Sequence, residues 1–218
     1  DRISKKIGSF NPDVINIHNL SGISPLIFKK LKQDYPDIPI VSTLHDYWPI
    51  CYRNTLLDKN HNIIKKLNLI NTLRKRIIEY FFQHVDAIVS PSQFLSNTIQ
   101  SFTNINPTLF HVISNGINKD VMGEVNDTNE VVNFLFLGQL ERHKGIHTLI
   151  SAINNVTSKN CKFNVAGSGK LSQSVQEHKK INYLGHISGD KKKEVLYKND
   201  VLIIPSEWYE NNPLVILE

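Results

Sequence analysis

Short apolar runs alternate with segments of helical periodicity along the chain, and this alternation occurs twice. Apolar runs predict strands, and the amphipathic segments between them predict helices. In the first series the strands are Val14–Ile17, Pro39–Leu44, Ala87–Val89 and Phe110–Ile113, and the helices are Pro25–Lys32, a segment within Lys65–His84, and Pro91–Phe102. The second series predicts strands at 131–137, 161–166, 181–184 and 201–204, and helices at 145–154, 172–179, 190–198 and from Pro213 onward. This pattern is typical of parallel sheets with right-handed crossovers, so the sequence predicts two successive doubly wound α/β domains.

A polar segment separates the two series. From Ser114 to Glu130 the periodicity stops, and Asn115-Gly116 gives a turn signal. We therefore place a partial first domain at residues 1–114, an interdomain linker at 115–130 and a partial second domain at 131–218. The first series lacks opening strands, and the sequence given runs from Asp1 into a last predicted helix at Glu218. These features predict a fragment that lacks both ends of a longer protein.

The segment Pro205–Glu218 carries the most specific chemical signal. A polar loop follows an apolar strand and leads into a helix whose first position is Pro213, where proline is tolerated best. A strand end, a loop and a helix N-terminus are what α/β proteins use to hold an anion. Glu210 lies before this helix and Glu218 more than a turn inside it. A carboxylate on each side of the anion predicts recognition of hydroxyl-rich groups that flank a diphosphate.

Two further strand ends contain glycines that allow a close approach of the backbone. Gly138 and Gly145 bound a loop after the strand that ends at Leu137, and Lys144 could add its charge to a phosphate site there. An ordinary turn with a solvated lysine is the alternative, because the order of a Walker loop is absent. Gly167-Ser168-Gly169 could let a nucleobase lie against the backbone, or could form a plain turn.

A histidine at another strand end marks a candidate sugar site. His45-Asp46 precedes the aromatic pair Tyr47-Trp48. The imidazole can hydrogen-bond a sugar hydroxyl while the rings cover the apolar face of the sugar. A structural His–Asp pair with a hydrophobic plug explains the same residues equally well. His18 ends the preceding strand in a similar but less specific setting.

The segment 65–82 mixes basic and apolar side chains. The basic residues are Lys65, Lys66, Arg74, Lys75 and Arg76, and they interleave with leucine, isoleucine and aromatic residues. Such a segment can lie on an anionic membrane surface. The simpler alternative is an amphipathic helix that packs on its own sheet with a solvated basic face.

Composition narrows the function classes only slightly. The 218 residues are 40% hydrophobic, enough to bury a core, and the net charge of +5 favours anionic partners. Cys51 and Cys161 lie far apart, and no zinc, disulfide or nucleophile-elbow pattern occurs, so no metal is expected. No apolar run approaches transmembrane length. Because no nucleic-acid-binding motif is present either, nucleic acid is not an expected partner.

Taken in order, the motifs resemble those of the family-4 retaining glycosyltransferases, which have the GT-B fold. They are His-Asp-Tyr-Trp at 45–48, Ile-Ser-Asn-Gly-Ile-Asn at 113–118, Gly-Gln-Leu-x-x-x-Lys-Gly at 138–145, Ala-Gly-Ser-Gly at 166–169 and Pro-Ser-Glu-Trp-Tyr-Glu-Asn-Asn-Pro-Leu-Val-x-x-Glu at 205–218. The resemblance covers essentially the whole chain. It implies two Rossmann-like domains facing a cleft, with the first on the acceptor side and the second holding a sugar nucleotide. Gln139 stands where many members carry arginine.

The resemblance also implies a role for each candidate residue. Lys144 neutralises the donor diphosphate, and Glu210 faces the hydroxyls of the donor sugar. Glu218 accepts hydrogen bonds from the ribose, and His45 reaches the transferred sugar. The implied catalytic residues are therefore Glu210, Lys144 and His45. The implied donor-binding set is Gly138, Gln139, Lys144, Gly167, Gly169, Asn212, Pro213, Leu214, Val215 and Glu218.

The implied reaction is the transfer of a sugar, of the hexosyl type, from a nucleoside-diphosphate sugar to a glycan or lipid-linked acceptor with retention of configuration. Neither a metal nor a cofactor is expected, because the lysine and the helix N-terminus stabilise the departing phosphate. The expected setting is the synthesis of surface polysaccharide or glycolipid in the cytoplasm, with peripheral contact between residues 65–82 and an anionic membrane. The alternatives are a non-catalytic nucleotide-sugar-binding partner of a glycosyltransferase complex and a GT-B-fold epimerase.

Overall fold

The computed structural model describes residues 2–20, 22–117 and 130–218. The chain divides into two compact units, Asp1–Asn115 and Gly116–Glu218, and each contains a four-stranded sheet. Most of the linker predicted at 115–130 lies outside the described residues. The two units are described separately below.

The first unit alternates strands and helices around a parallel sheet. Its elements are α1 (Arg2–Phe10), β1 (Ile15–His18), α2 (Leu26–Asp34), β2 (Ile40–Thr43), α3 (Leu69–Phe82), β3 (Ala87–Ser90), α4 (Gln93–Phe102) and β4 (Phe110–Val112). The strand order is β1-β2-β3-β4, and each neighbouring pair is parallel. His18 is in register with Thr43, so the carboxyl ends of β1 and β2 lie side by side.

Side-chain caps explain where two of these helices begin. Asn71 N donates to Asn68 Oδ1 at 2.9 Å at the start of α3, and Leu95 N donates to Ser92 Oγ at 3.2 Å at the start of α4. Each cap satisfies one of the N–H groups that the first helical turn leaves without a partner. Helix α1 was not predicted, because its sequence is mostly polar. In the structure its apolar Phe10 is 80% exposed.

The core of the first unit draws on a loop as well as on helices and strands. Phe82 of α3 is buried, and its ring meets Phe28 of α2 edge-on, with ring centroids 5.3 Å apart. A second aromatic ring, that of Trp48 from the loop after β2, also lies against Phe82, with ring centroids 5.7 Å apart. The aromatic loop after β2 is therefore part of the core.

The second unit repeats the architecture with a different strand order. Its elements are β5 (Val132–Leu137), α5 (Ile146–Asn155), β6 (Cys161–Ala166), α6 (Ser172–Gln176), β7 (Ile181–Gly185), α7 (Gly189–Tyr197), β8 (Val201–Leu202) and α8 (Leu214–Leu217). The order is β7-β6-β5-β8, and the neighbouring strands are parallel. A cluster of buried residues fills the space between sheet and helices: Phe136, Leu140, Ile146, Leu149, Ile153, Val165, Val175 and Ile181.

Two boundaries near the end of the chain differ from the predicted ones. The strand predicted at 201–204 spans only Val201–Leu202, although Ile203 N still donates to Leu135 O at 2.7 Å. Pro205 follows and has no N–H to continue the ladder. Pro213 was predicted to be the first helical residue, but it is the N-cap, with an extended backbone (ψ 121°).

A close backbone approach joins the loops that follow β5 and β8. Gly145 has a φ of +76°, and a Cβ there would lie 1.9 Å from the carbonyl oxygen of Pro205. Glu207 N also donates to His143 O at 2.9 Å, which connects the same two loops a second time. Gly145 therefore satisfies two requirements at once, a left-handed backbone and contact without a side chain.

Replacing Gly145 tests how much this contact contributes. Gly145→Ala should strongly destabilise the protein, whereas Gly185→Ala should cost only the strain of a left-handed alanine, about 1–2 kcal/mol. Gly185 is a matched control, because its φ is +69° and a Cβ there meets nothing within 4 Å. The steric clash should add about 1–3 kcal/mol to the loss at Gly145. Urea unfolding of both variants measures the difference, and equal losses would show that the loop contact is unimportant.

Candidate active site

Lys144 and Glu210 meet at the carboxyl end of the second sheet. Lys144 ends a 3₁₀ turn after β5, and Glu210 lies in the loop after β8. Because β5 and β8 are parallel neighbours, the loops that follow them emerge side by side. Lys144 Nζ lies 2.8 Å from Glu210 Oε1, and both side chains are largely buried, at 21% and 19% exposed. The fold thus brings together two residues that belong to separate motifs of the sequence.

The carboxylate of Glu210 accepts three hydrogen bonds, all on Oε1. Besides Lys144, the donors are Ser206 Oγ at 2.5 Å and Trp208 Nε1 at 2.9 Å. Burial raises the pKa of Glu210, but these three donors and the positive charge of Lys144 outweigh it, so the pKa lies below its ordinary value. Glu210 is therefore held as an anion at neutral pH.

Trp208 is a site residue to which the sequence analysis assigned no role. Lys144 Nζ lies 4.8 Å from the centre of its ring, a cation–π contact, and its indole N–H binds Glu210. His143 packs edge-on against the same ring, with centroids 5.4 Å apart. The sequence did offer one indication of a role for Trp208, because it lies only two positions before Glu210 in the same motif. Trp208 positions both partners of the ion pair.

A cavity of about 810 Å³ lies at the same end of the second sheet. This volume falls within the usual range for small-molecule sites, about 300–1,000 Å³. Six of the residues expected to bind a donor line it: Gly138, Gln139, Gly167, Leu214, Val215 and Glu218. Lys144 and Glu210 are not among the lining residues; Lys144 shares its loop with Gly138 and Gln139, and Glu210 lies in the loop that leads into α8, which contributes Leu214 and Val215.

Helix α7 supplies a wall of this cavity that the sequence analysis missed. His186 and Ser188, just before the helix, and Lys192, Lys193 and Leu196 within it line the cavity. Lys192 Nζ forms an ion pair with Glu218 Oε2. No motif marked this helix, because its lysines resemble an ordinary solvated surface in the sequence. The expected ribose-binding carboxylate thus has a cationic neighbour.

The glycines at 167 and 169 satisfy packing requirements as well as the expected base site. A Cβ at Gly167, where φ is +140°, would lie 1.8 Å from Gly138 O, and one at Gly169 would lie 2.5 Å from Leu140 O. Gly169 does not line the cavity, and neither do Asn212 and Pro213. Close packing of the two loops accounts for both glycines without a ligand.

In the first unit, His45 contacts His18. His18 Nδ1 lies 2.9 Å from His45 Nε2, and the rings stack with centroids 5.1 Å apart. Burial lowers the pKa of His45, the nearby His18 lowers it further, and Asp46 opposes both. The carboxyl ends of β1 and β2 are therefore connected through the contact between His18 and His45, although His18 was the less specific candidate in the sequence.

The loop after His45 is a hydrophobic plug. Tyr47 and Trp48 are almost completely buried, so their rings are not available to cover the face of a sugar. Asp46 accepts from Trp48 N at 2.7 Å and from Asn19 Nδ2 at 2.8 Å. Burial raises the pKa of Asp46, partly offset by these hydrogen bonds. Asp46 therefore stabilises the loop that carries His45.

Helix α3 exposes an apolar stripe beside its basic residues. Its buried side consists of Asn71, Ile78 and Phe82, whereas the exposed side includes Leu69, Ile70, Leu73, Ile77 and Tyr80. Lys75 is paired with Glu79 at 3.3 Å, and Arg74 Nη1 donates to Trp48 O. The helix packs on its own sheet, but much of its apolar surface faces outward.

The described residues contain neither a candidate metal site nor a candidate membrane-spanning helix. Over residues 2–20, 22–117 and 130–218, no cluster of histidine, cysteine, aspartate and glutamate could hold a metal ion. In the same residues, none of the helices has the length and apolar character needed to cross a bilayer.

Comparison with known families identifies the class of protein. The family model described as Glycosyltransferase Family 4 matches residues 1–121, and that described as Glycosyl transferases group 1 matches residues 121–218. The parallel α/β units and the solved structures that resemble them show the GT-B fold. The chain belongs to the family-4, group-1 glycosyltransferases.

Single relatives and solved structures also match the chain. An uncharacterised glycosyltransferase of Methanocaldococcus jannaschii, MJ1607, is 30% identical over 152 residues, which cover 60% of this chain and 39% of that protein. An uncharacterised 42.6 kDa protein in the cps region of Klebsiella pneumoniae is 24% identical, with 95% and 54% covered. The crystal structure of Anabaena Alr3699/HepE in complex with UDP and glucose matches with a TM-score of 0.72 at 14% identity, covering 99% of this chain and 58% of that one. The chain thus spans about half the length of these proteins.

Removing single donors from Glu210 should raise its pKa. Trp208→Phe keeps a ring beneath Lys144 but loses the N–H, and Ser206→Ala loses the hydroxyl. Each should cost about 1–3 kcal/mol at pH 7, since the acceptor is a partly buried anion. A carboxyl group whose pKa is lowered by folding contributes stability above its unfolded pKa and loses it as pH falls through the folded pKa. In both variants this loss should begin at a higher pH than in the wild type.

Carbon-13 NMR titration of the Glu210 carboxyl group measures the pKa directly. Thr148→Ala is the control, because Thr148 Oγ1 donates to Glu207 in the same loop, at 2.8 Å, and not to Glu210. If Thr148→Ala moves the Glu210 titration as far as Trp208→Phe does, the specific donors are not responsible for the lowered pKa.

Proposed function

We propose that this chain is the catalytic core of a retaining glycosyltransferase that uses a nucleoside-diphosphate sugar as donor. The cavity at the carboxyl end of the second sheet carries this proposal. It is lined by Gly138, Gly167 and Glu218, from three different loops or helices that the family motifs single out. Ligands of parallel α/β sheets bind at this end of the sheet. That HepE was crystallised with UDP and glucose supports the same donor class.

The proposed binding mode uses charges that are already in place. Lys144 neutralises the diphosphate, together with the backbone N–H groups near Leu214 and Val215. Glu210 accepts hydrogen bonds from hydroxyls of the transferred sugar through Oε2, since its present donors all occupy Oε1. Glu218 binds the ribose. Because these groups are fixed before the ligand arrives, little reorganisation opposes binding.

The proposed reaction breaks the bond between the anomeric carbon and the diphosphate. Negative charge grows on the departing phosphate, where Lys144 stabilises it, and positive charge grows on the sugar. The departing phosphate accepts the proton of the acceptor hydroxyl, which attacks on the same face, so that configuration is retained. His45 contributes a hydrogen bond to the transferred sugar. In this scheme Lys144 provides the charge stabilisation that a metal ion gives in other transferases.

Donor binding should depend on Lys144 and Glu218. UDP-, GDP-, ADP- and dTDP-sugars should be screened for thermal stabilisation of the full-length protein. Lys144→Met and Glu218→Gln should each weaken binding of the best donor about 10- to 100-fold, the usual effect of removing a charge-assisted hydrogen bond. Turnover in EDTA and the anomeric configuration of the product by NMR then check the absence of a metal and the retention.

Lys170→Met is the matched control for donor binding, because Lys170 is exposed and does not line the cavity. The site assignment fails if no nucleotide sugar stabilises the protein, or if Lys170→Met weakens binding as much as Lys144→Met. Donor binding without transfer to any acceptor would instead favour a non-catalytic partner of a transferase complex.

We further propose that the acceptor is a glycan or a lipid-linked glycan in surface polysaccharide or glycolipid synthesis, used in the cytoplasm at an anionic membrane surface. The exposed apolar stripe of α3, next to the exposed Lys65, Lys66 and Arg76, supports a peripheral contact.

Vesicle binding tests this contact. The protein should sediment with phosphatidylglycerol vesicles at low salt and be released at high salt, since surface attraction is screened. The double variant Ile70→Gln/Leu73→Gln should lose most binding. Ile113→Gln is the control, because Ile113 is equally exposed (60%) but lies outside α3. Undiminished binding of the double variant would exclude α3 as the contact.

A further inference from the structure

Two cavities of the first unit meet at Arg74, outside the candidate donor site. One, of about 290 Å³, includes Pro25, Ile77 and Ile78 in its lining. The other, of about 380 Å³, includes Ser24, Tyr52 and Asn54. Both are also lined by Leu20, Ile23, Trp48 and Arg74. We call the two cavities together the Arg74 groove; it has an apolar arm and a polar arm with a cation where they join.

Arg74 brings a positive charge into the groove, and the carboxylate of Asp46 attracts it only from beyond ion-pair distance. The side chain is partly buried, and its Nη1 donates to the carbonyl oxygen of Trp48. Among the residues that the structure describes, Arg74 takes part in no ion pair. Burial lowers the pKa of Arg74, which reflects the cost of holding this charge away from water. A bound anion would offset that cost, and a guanidinium suits a phosphate because it offers several fixed donors.

The apolar arm continues onto the exposed stripe of α3. Ile77 lines the groove and is also 57% exposed, and Leu73 and Ile70 follow it at helical spacing on the same side. Ile23, another lining residue, is likewise about half exposed. An apolar chain longer than the groove can therefore continue over Leu73 and Ile70.

We propose that the Arg74 groove binds an anionic lipid, with its phosphate beside Arg74 and its apolar chain along Ile23, Pro25 and Ile77. This inference rests on the proposed function, and it narrows the acceptor to a lipid phosphate or diphosphate that carries the growing sugar. The position of the groove is consistent with this role. Trp48, which lines both arms, lies three residues after His45 in the loop that Asp46 holds in place.

Calorimetric titration of the full-length protein with three probes tests the groove. Decyl phosphate, used below its critical micelle concentration, carries both parts of the proposed ligand; decanol carries only the chain, and inorganic phosphate only the anion. Decyl phosphate should bind at least about tenfold more tightly than either of the others, because the chain and the charge-assisted contacts both contribute. Equal binding of decyl phosphate and inorganic phosphate would overturn the proposal, as would equal binding of decyl phosphate and decanol.

Variants locate the binding site. Arg74→Gln should remove the advantage of decyl phosphate over decanol, Arg74→Lys should keep part of it, and Ile77→Gln should weaken both apolar probes. Arg76→Gln is the matched control, because it removes the same charge from an exposed position of the same helix that does not line the groove. An equal loss in Arg76→Gln would show a diffuse charge effect and overturn the proposal. If Arg74→Gln does not fold, Arg74→Lys and Ile77→Gln still decide the question.

Thermal stabilisation by a nucleotide sugar, measured on the same samples, separates this inference from the proposed function. If decyl phosphate binds at Arg74 but no nucleotide sugar binds, the lipid-binding proposal is supported and the proposed donor site is contradicted. If a nucleotide sugar binds but decyl phosphate binds no more tightly than decanol or inorganic phosphate, the proposed donor site is supported and the lipid-binding proposal is contradicted.

Discussion

The contact between Gly145 and Pro205 is the constraint on which the candidate donor site depends. The backbone at these positions approaches so closely that no side chain fits at Gly145. The turn that ends in Lys144 is consequently held against the loop that carries Glu210. The cost of removing two largely buried charges from water offsets much of the attraction within this ion pair. Backbone packing thus determines where the pair forms, and the pair in turn places its charges.

Two of the three carboxylates in the segment Pro205–Glu218 are paired with lysines from elsewhere in the second unit. Glu210 binds Lys144, with Trp208 supporting both, and Glu218 binds Lys192 of α7. Each glutamate is oriented by its lysine, which suits an acceptor of hydrogen bonds from sugar hydroxyls. Charges fixed in this way by the fold cost little to organise when a ligand or transition state arrives. The glycosyltransferase family assignment gives this arrangement a chemical context.

The first unit carries a different kind of site. It has no lysine–glutamate pair at its strand ends among the described residues. Instead, two histidines share a hydrogen bond, and the partly buried Arg74 lines the Arg74 groove. Several contacts hold the loop after His45: Trp48 packs on Phe82, and Asp46 accepts hydrogen bonds from Trp48 N and Asn19 Nδ2. Such a loop can hold His45 in one place while a neighbouring surface takes an apolar ligand.

By itself the sequence determined the alternation of strands and helices, the parallel α/β class and the motif residues, because these depend on local periodicity and on glycine and proline chemistry. It predicted no role for Trp208 or Lys192, and it left open whether Trp48 faces a ligand or the core. Those points depend on the strand order β7-β6-β5-β8 and on the packing of α3. Only the tertiary structure places Lys144 against Glu210, 66 positions away. Periodicity reports which side of one element is buried, whereas the neighbours of that side are set by pairing between elements distant in the chain.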